Sequence, residues 1–224
     1  DMGTLKQLGG GFGRLLKGPT FTKAEYLGAI FLTVKLMRLL KTDGAVAVEP
    51  HVENPDASPL WAEYPKLKAD HFFVHLVSDT LRLLVVSTGT VSSVAIEDVL
   101  DTAIETHHHD AMRPAEQLQS LADALPALGI VAAVLGVVKT MASVGKPPAE
   151  LGAMIASALV GTFLGILLAY GFVSPLAKLL EAKCDEATKE LQCVKATLLA
   201  SLQGYAPAVA VEFAACMARR IRAA

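Results

Sequence analysis

The chain has 224 residues, 53% of them hydrophobic and 19% charged, with a mean hydropathy of +0.45 and a formal net charge of −2. That composition is too apolar for an ordinary soluble domain, and it lacks the clustered basic face of a nucleic-acid binder. The charge is uneven along the chain, with 11 Lys and Arg against 16 Asp and Glu in residues 1–124 but 7 against 5 in residues 175–224. Cys184, Cys193 and Cys216 are odd in number and show no Cys-x-x-Cys pairing, so they read as reduced thiols in a cytosolic environment. Asp1-Met2-Gly3 opens the chain without a basic region followed by an apolar run, the pattern of a signal peptide.

In chain order, Thr22-x-x-Glu25 reads as a capping box. It opens a helix in which Leu27, Ile30, Phe31, Val34 and the run Leu36 to Leu40 recur at helical spacing, with Gly44 as the stop. Pro50, Pro55, Pro59 and Pro65 predict an irregular connector over residues 45–65. A second helix is expected from Leu67 to Ser87, ending at Gly89. Another starts near Ser93, with Glu97 and Asp98 favourably placed against the helix dipole, and runs to about Met112. Pro114 is then expected at the first turn of a further helix leading through Leu118, Leu121 and Leu125 into an apolar run.

Residues 151–173, LGAMIASALVGTFLGILLAYGFV, hold 23 positions without a charge. At about 1.5 Å per residue such a helix crosses a hydrocarbon core of roughly 30 Å. The run from Leu125 to Val144 carries one charge, Lys139, near its end, where the stem can snorkel to the interface. Gly145-Lys146-Pro147-Pro148-Ala149-Glu150 joins the two as a short turn, which predicts a transmembrane hairpin. Lys178, Lys183 and Lys189 follow the second span, whereas the turn side offers only Lys139 and Lys146. The basic residues therefore put the bulk of the chain in the cytoplasm. A hairpin buried in a soluble bundle is the competing reading, and the uncharged run argues against it. After Pro175 a long helix is expected to Gln203, broken at Gly204-Tyr205-Ala206-Pro207, before a last helix ending in Arg219, Arg220 and Arg222.

Both spans are rich in small residues that let helix backbones approach: Gly129, Ala132, Ala133 and Gly136 in the first, Ala153, Ser157, Gly161 and Gly165 in the second. Packing alone accounts for the glycines. Thr162 is the hydroxyl nearest the middle of its span, able to contact an ion, a water or a partner, although a membrane threonine more often bonds back to its own helix. Neither span contains the carboxylate or histidine that proton relay through a bilayer requires, so a partner helix must bring the titrating group to a seam lined by Thr162, Ala133 and the glycines. Pro126 and Pro175 flank that seam as helix termini or as hinges.

The stretch LPALGIVAAVLGVV from Leu125, together with PAELGAMIASALVGTFLGILLAYGFVSPLA, closely resembles the third and fourth membrane helices of the MotA family of flagellar stator subunits. VENP at 52–55, YPKLKAD from Tyr64 and LQGYAPAVAVEF at 202–213 resemble it too, so the similarity runs from about residue 4 to 213. The resemblance implies an all-α integral membrane protein: a cytoplasmic, rotor-facing helical domain over 1–124, a transmembrane hairpin over 125–174 with a periplasmic turn at 145–150, and cytoplasmic C-terminal helices over 175–224. The family has two further membrane helices before the segment with which this chain begins, so this one corresponds to the inner, channel-lining half.

The resemblance further implies a homopentamer around two copies of MotB, whose single membrane helix supplies the proton-accepting aspartate and whose periplasmic domain grips peptidoglycan. It implies protons as the transported ion, no cofactor, no metal and no enzymatic activity, in the bacterial inner membrane. The family's channel threonine falls on Thr162 and its hinge prolines on Pro126 and Pro175. Its rotor-facing charges, which engage FliG, fall on Lys41, where many relatives have arginine, and on Glu49. Read without the family, both are ordinary solvated charges. Sodium-driven relatives carry hydroxyls where this chain has Ala133 and Gly161, which favours protons.

His107-His108-His109 departs from the family pattern, and three adjacent histidines on a helix point around its circumference, which favours a solvated face over a metal site. The related ExbB/TolQ class, which energises outer-membrane processes, is disfavoured by the VENP connector and the GYAP break. A membrane helical scaffold that conducts nothing is the alternative from a different class, and an enzyme has no nucleophile–base pair or phosphate loop to support it.

Overall fold

A computed structural model describes residues 23–87 and 91–223 of the chain, with side chains described over 24–87 and 91–215. Thr22 of the capping box, the Gly89 stop, the start of the resemblance near residue 4, Cys216 and the arginines at 219, 220 and 222 lie outside these described residues and side chains. Every described element is helical: α1 (Lys23–Thr42), α2 (Ala45–Glu53), a 3₁₀ turn (Pro55–Ala57), α3 (Pro59–Ala62), α4 (Pro65–Lys68) and α5 (His71–Val86), then α6 (Ser93–Met141), α7 (Pro148–Leu168), a π turn (Ala169–Val173), α8 (Ser174–Leu202) and α9 (Pro207–Ala223).

The stretch expected to be an irregular connector is thus a chain of short helices. Pro55, Pro59 and Pro65 stand at the first or second position of the elements they open, where the missing N–H is one the helix would leave unpaired anyway. Leu67 belongs to α4, and the next helix begins later than expected, at His71. Asp70 sets that start, its carboxylate accepting from the N–H groups of Phe72 and Phe73 at 3.0 and 3.2 Å. Pro114 does not start a helix, because α6 runs unbroken through Pro114 and Pro126. The breaks at Gly44 and Gly204 fall where expected, each at positive φ, 83° and 90°, a backbone state open to glycine.

The described residues divide into two compact units. The first is Ala111–Cys184, and the second is built from the described residues through Asp110 and from Asp185 onward. The second unit holds the larger apolar core. Leu32 and Leu36 of α1, Trp61 of α3, Phe73, Val77 and Leu81 of α5, Ile96 and Leu100 of α6 and Leu198 of α8 are all buried in it. Trp61 sits edge-on to Phe73 with ring centroids 5.9 Å apart and donates its indole N–H to the carbonyl of His51 at 3.1 Å. Burial therefore leaves neither the ring nor its polar tip without a partner.

The first unit contains the two apolar runs. The most apolar window in α6 is only 11% buried and that in the run from Pro148 to Leu202 is 0% buried, with Leu128, Val131, Val134, Phe163 and Leu164 exposed. A helix from the core of a soluble protein would be covered by its own chain. These two instead present the uniformly apolar surface that lipid or neighbouring membrane helices cover.

Candidate functional site

The two apolar helices meet along a strip of small residues. A methyl group added at Gly165 would lie 2.8 Å from the Leu125 carbonyl and 3.2 Å from Gly129 Cα, and one at Gly129 would lie 2.9 Å from the Gly161 carbonyl. One at Gly136 would overlap the methyl of Ala158. Backbone here touches backbone, so glycine is a steric requirement at these crossings. Ala153 and Ser157, expected on the packing face, are exposed. The residue that meets Gly136 is Ala158.

Thr162 stands inside this strip. Its hydroxyl donates to the Gly129 carbonyl across the hairpin at 3.3 Å, so it bonds to the neighbouring helix and not back to its own. Ala133 was expected in the same seam, but a methyl at Gly161 meets only Ala132 Cβ at 3.3 Å and the Gly129 carbonyl at 3.8 Å. Ala133, the next residue of α6, is half-buried. The structure therefore brings Thr162, Gly161, Gly129 and Ala132 together. The spans between Leu125 and Val138 and between Leu151 and Val173 contain no ionisable carboxylate, histidine or amine.

Pro126 is half-buried within α6, one turn before Gly129. Pro175 is exposed in the first turn of α8 and follows the π turn, where the N–H of Ser174 reaches back five residues to the Ala169 carbonyl. Pro175 offers no N–H to the ladder, and the single π turn ahead of it lets the helix continue without a stop. Beyond it Ala177 and Leu180 pack on Ala115 and Leu118, and the Ser174 hydroxyl donates to Gln119 Oε1 at 3.2 Å. That packing holds α6 helical around Pro114.

Lys41 and Glu49 are both exposed in the second unit, on α1 and α2. The Lys41 ammonium donates to the carbonyl of Ser201. It therefore adds a second donor to one of the last carbonyls of α8, which also accepts from the Gly204 N–H at 3.2 Å. Sequence reasoning gave Lys41 no such structural partner. Lys195 of α8 is held by two carboxylates of α6. Burial opposes its charge, but hydrogen bonds to Asp101 at 2.6 Å and an ion pair with Glu97 at 3.2 Å outweigh that, so its pKa is raised.

The three histidines fan out as their spacing requires, but two of them are half-buried against neighbouring side chains. His107 stacks on Phe72 with centroids 3.8 Å apart, His108 pairs through Nδ1 with the Thr188 hydroxyl at 2.8 Å, and His109 is exposed. The structure also shows two groups that sequence reasoning passed over. One is the Asp70 cap, for which an Asp directly before an apolar helical run was a usable signal. The other is Glu190, whose burial no local pattern announces.

Comparison with known proteins places these features in context. The sequence model of the MotA/TolQ/ExbB proton channel family matches residues 68–193. Motility protein A of Salmonella typhimurium is 48% identical over 199 residues, covering 89% of this chain and 67% of that protein. Motility protein A of Escherichia coli is 47% identical over 211 residues, covering 94% and 70%. Among solved structures, the flagellar MotAB stator complex from Bacillus subtilis superposes with a TM-score of 0.70 at 24% identity, over 95% of this chain and 74% of that one, which establishes a shared fold.

Proposed function

This chain belongs to the MotA/TolQ/ExbB proton channel family, and we propose that it is the channel-lining, torque-generating subunit of a bacterial flagellar stator. The observation that carries the reading is a membrane hairpin whose polar point, Thr162 on Gly129, lies in a seam with no titratable group. Proton movement across a bilayer needs such a group at depth. The carboxylate is supplied by the membrane helix of a MotB-type partner, and the pathway runs past Thr162 and Gly161, with Ala133 alongside. The absence of hydroxyls at Ala133 and Gly161 supports protons over sodium, since a desolvated sodium ion needs oxygen ligands.

The second unit is the part that meets the rotor, through Lys41 and Glu49 toward FliG, while Pro126 and Pro175 transmit movement from the channel. The exposed apolar faces of α6 and α7 suit a ring of like subunits around the partner, five around two, embedded in the inner membrane with most of the chain in the cytoplasm. No cofactor takes part. The 47–48% identity to motility proteins supports this reading over an ExbB/TolQ-type role.

The test replaces Thr162 and Pro126 separately in the full-length protein and measures swimming together with proton flux. Both variants are expected to lose flux and motility in parallel. Normal swimming in both would remove these residues from the pathway.

A further inference from the structure

Glu190 lies on α8 in the second unit, 2% exposed, and neither carboxyl oxygen has a hydrogen-bond partner among the described residues. One turn further along α8 is Cys193, which packs in an apolar cluster with Ile30 of α1 and Ala214 of α9, bordered by Tyr26, Val34 and Val211. Among the described residues, the titratable groups that act on Glu190 are acidic or neutral. Glu25 and Tyr26 face it from α1, Asp70 from the start of α5, and Glu186 and Cys193 from its own helix. Glu25 is already paired with Lys66, and Asp70 already caps α5. Among the described residues, the groups whose charges act on Glu190 are all acidic.

An isolated carboxylate in such a place is too costly to persist, so the group holds its proton. We propose that Glu190 is a proton-operated lock on the second unit: protonated, it lies as a neutral group among α1, α5 and α8, and ionised, it loosens their packing. In atoms, the only change is departure of one proton from the carboxyl oxygen to solvent.

Burial first, then the charges of Asp70, Glu25 and Glu186, push the Glu190 carboxyl up from 4.5 to about 8. The folded unit therefore binds a proton that the unfolded chain has released above about 4.5. Stability falls as pH rises from there through about 8, and above that it stays at its lowest level. The ordinary carboxylate that is paired when folded behaves in the opposite sense. Through this one group the unit loses stability toward alkali, a response independent of any proton passing through the membrane hairpin.

The test uses the full-length protein in detergent micelles. Hydrogen exchange of residues 24–42 and 185–202, corrected for intrinsic exchange chemistry, is compared between wild type and Glu190→Gln from pH 6 to 9. Wild-type protection is expected to drop by roughly tenfold or more across that range, one pKa unit being a factor of ten, while Glu190→Gln stays flat. An equal drop in both proteins would overturn the lock. Should the variant not fold, infrared spectra of the wild type decide the question alone. A protonated-carboxyl band that is present at pH 7 and lost through about pH 8 supports the proposal. Absence of any such band at pH 7 contradicts it.

Discussion

The hydroxyl of Thr162 donates to the carbonyl of Gly129 across the membrane hairpin at 3.3 Å, a long bond tying the one polar side chain at mid-span to the glycine strip of the helix crossing. At that length the bond is weak enough for a water or a hydrated proton to compete for the same carbonyl. Thr162→Val keeps the shape and removes the hydroxyl. Hairpin stability should fall by about 0.5–2 kcal/mol, measured by thermal unfolding in micelles, and proton flux should fall with it. Thr162→Ser should retain most of both.

The glycines of the crossing are not equivalent. Gly165→Ala puts a methyl 2.8 Å from a backbone carbonyl that cannot move aside, and should cost about 1–3 kcal/mol as the hairpin is forced open. Gly161→Ala meets only a side-chain methyl at 3.3 Å and should be milder. Gly152→Ala, which faces open space, should leave the melting temperature unchanged and serves as the control.

Pro175→Ala returns an N–H to the helix just after the π turn, so the α-helical register can compete with the π register. The α register turns the following residues by about 100° and pulls Ala177 and Leu180 off Ala115 and Leu118. Spin labels at the exposed Leu121 and Leu179 should report one distance in the wild type and a second population in the variant. A single unchanged distance would show that packing alone sets the bulge.

Trp61 is the chain's only tryptophan, and it is fully buried, so its fluorescence reports on the second unit alone. Emission should be blue-shifted and move to the red when that unit unfolds in denaturant. Trp61→Phe should cost about 1 kcal/mol for the lost bond to the His51 carbonyl. Trp61→Ala should cost about 3–5 kcal/mol through the cavity it leaves.

The membrane hairpin was legible in the sequence because its signal is long and purely compositional: 23 residues without a charge need no tertiary knowledge. Gly44 and Gly204 were legible because a positive φ is a local demand. Prolines misled in two ways. Those at 55, 59 and 65 were read as breakers although each opens a helix, and Pro114 was read as a start although packing of Ala115 and Leu118 carries the helix through it. Periodicity could place Ala132 and Ala133 in the same span, but only the helix crossing shows that the first meets Gly161. Glu190 reads locally as one more charge on an amphipathic helix, and its burial depends on α1 and α5 arriving from far away in sequence.

Lys41 and Glu49 differ in what they have to lose. Lys41→Glu removes a donor from the Ser201 carbonyl and should disturb the end of α8 as well as any rotor contact. Glu49 is exposed on α2, so Glu49→Lys should leave folding intact, with stability unchanged within about 0.5 kcal/mol in denaturant titration.

The central claim is most directly tested by measuring torque and proton flux together in cells carrying Glu49→Lys in the full-length protein, with its membrane partner present. The account predicts that flux is kept while torque on a tethered flagellum falls, and that a compensating charge reversal on the rotor restores torque. Loss of proton flux with torque, or full torque without compensation, would contradict the assignment of the hairpin to conduction and of the second unit to the rotor.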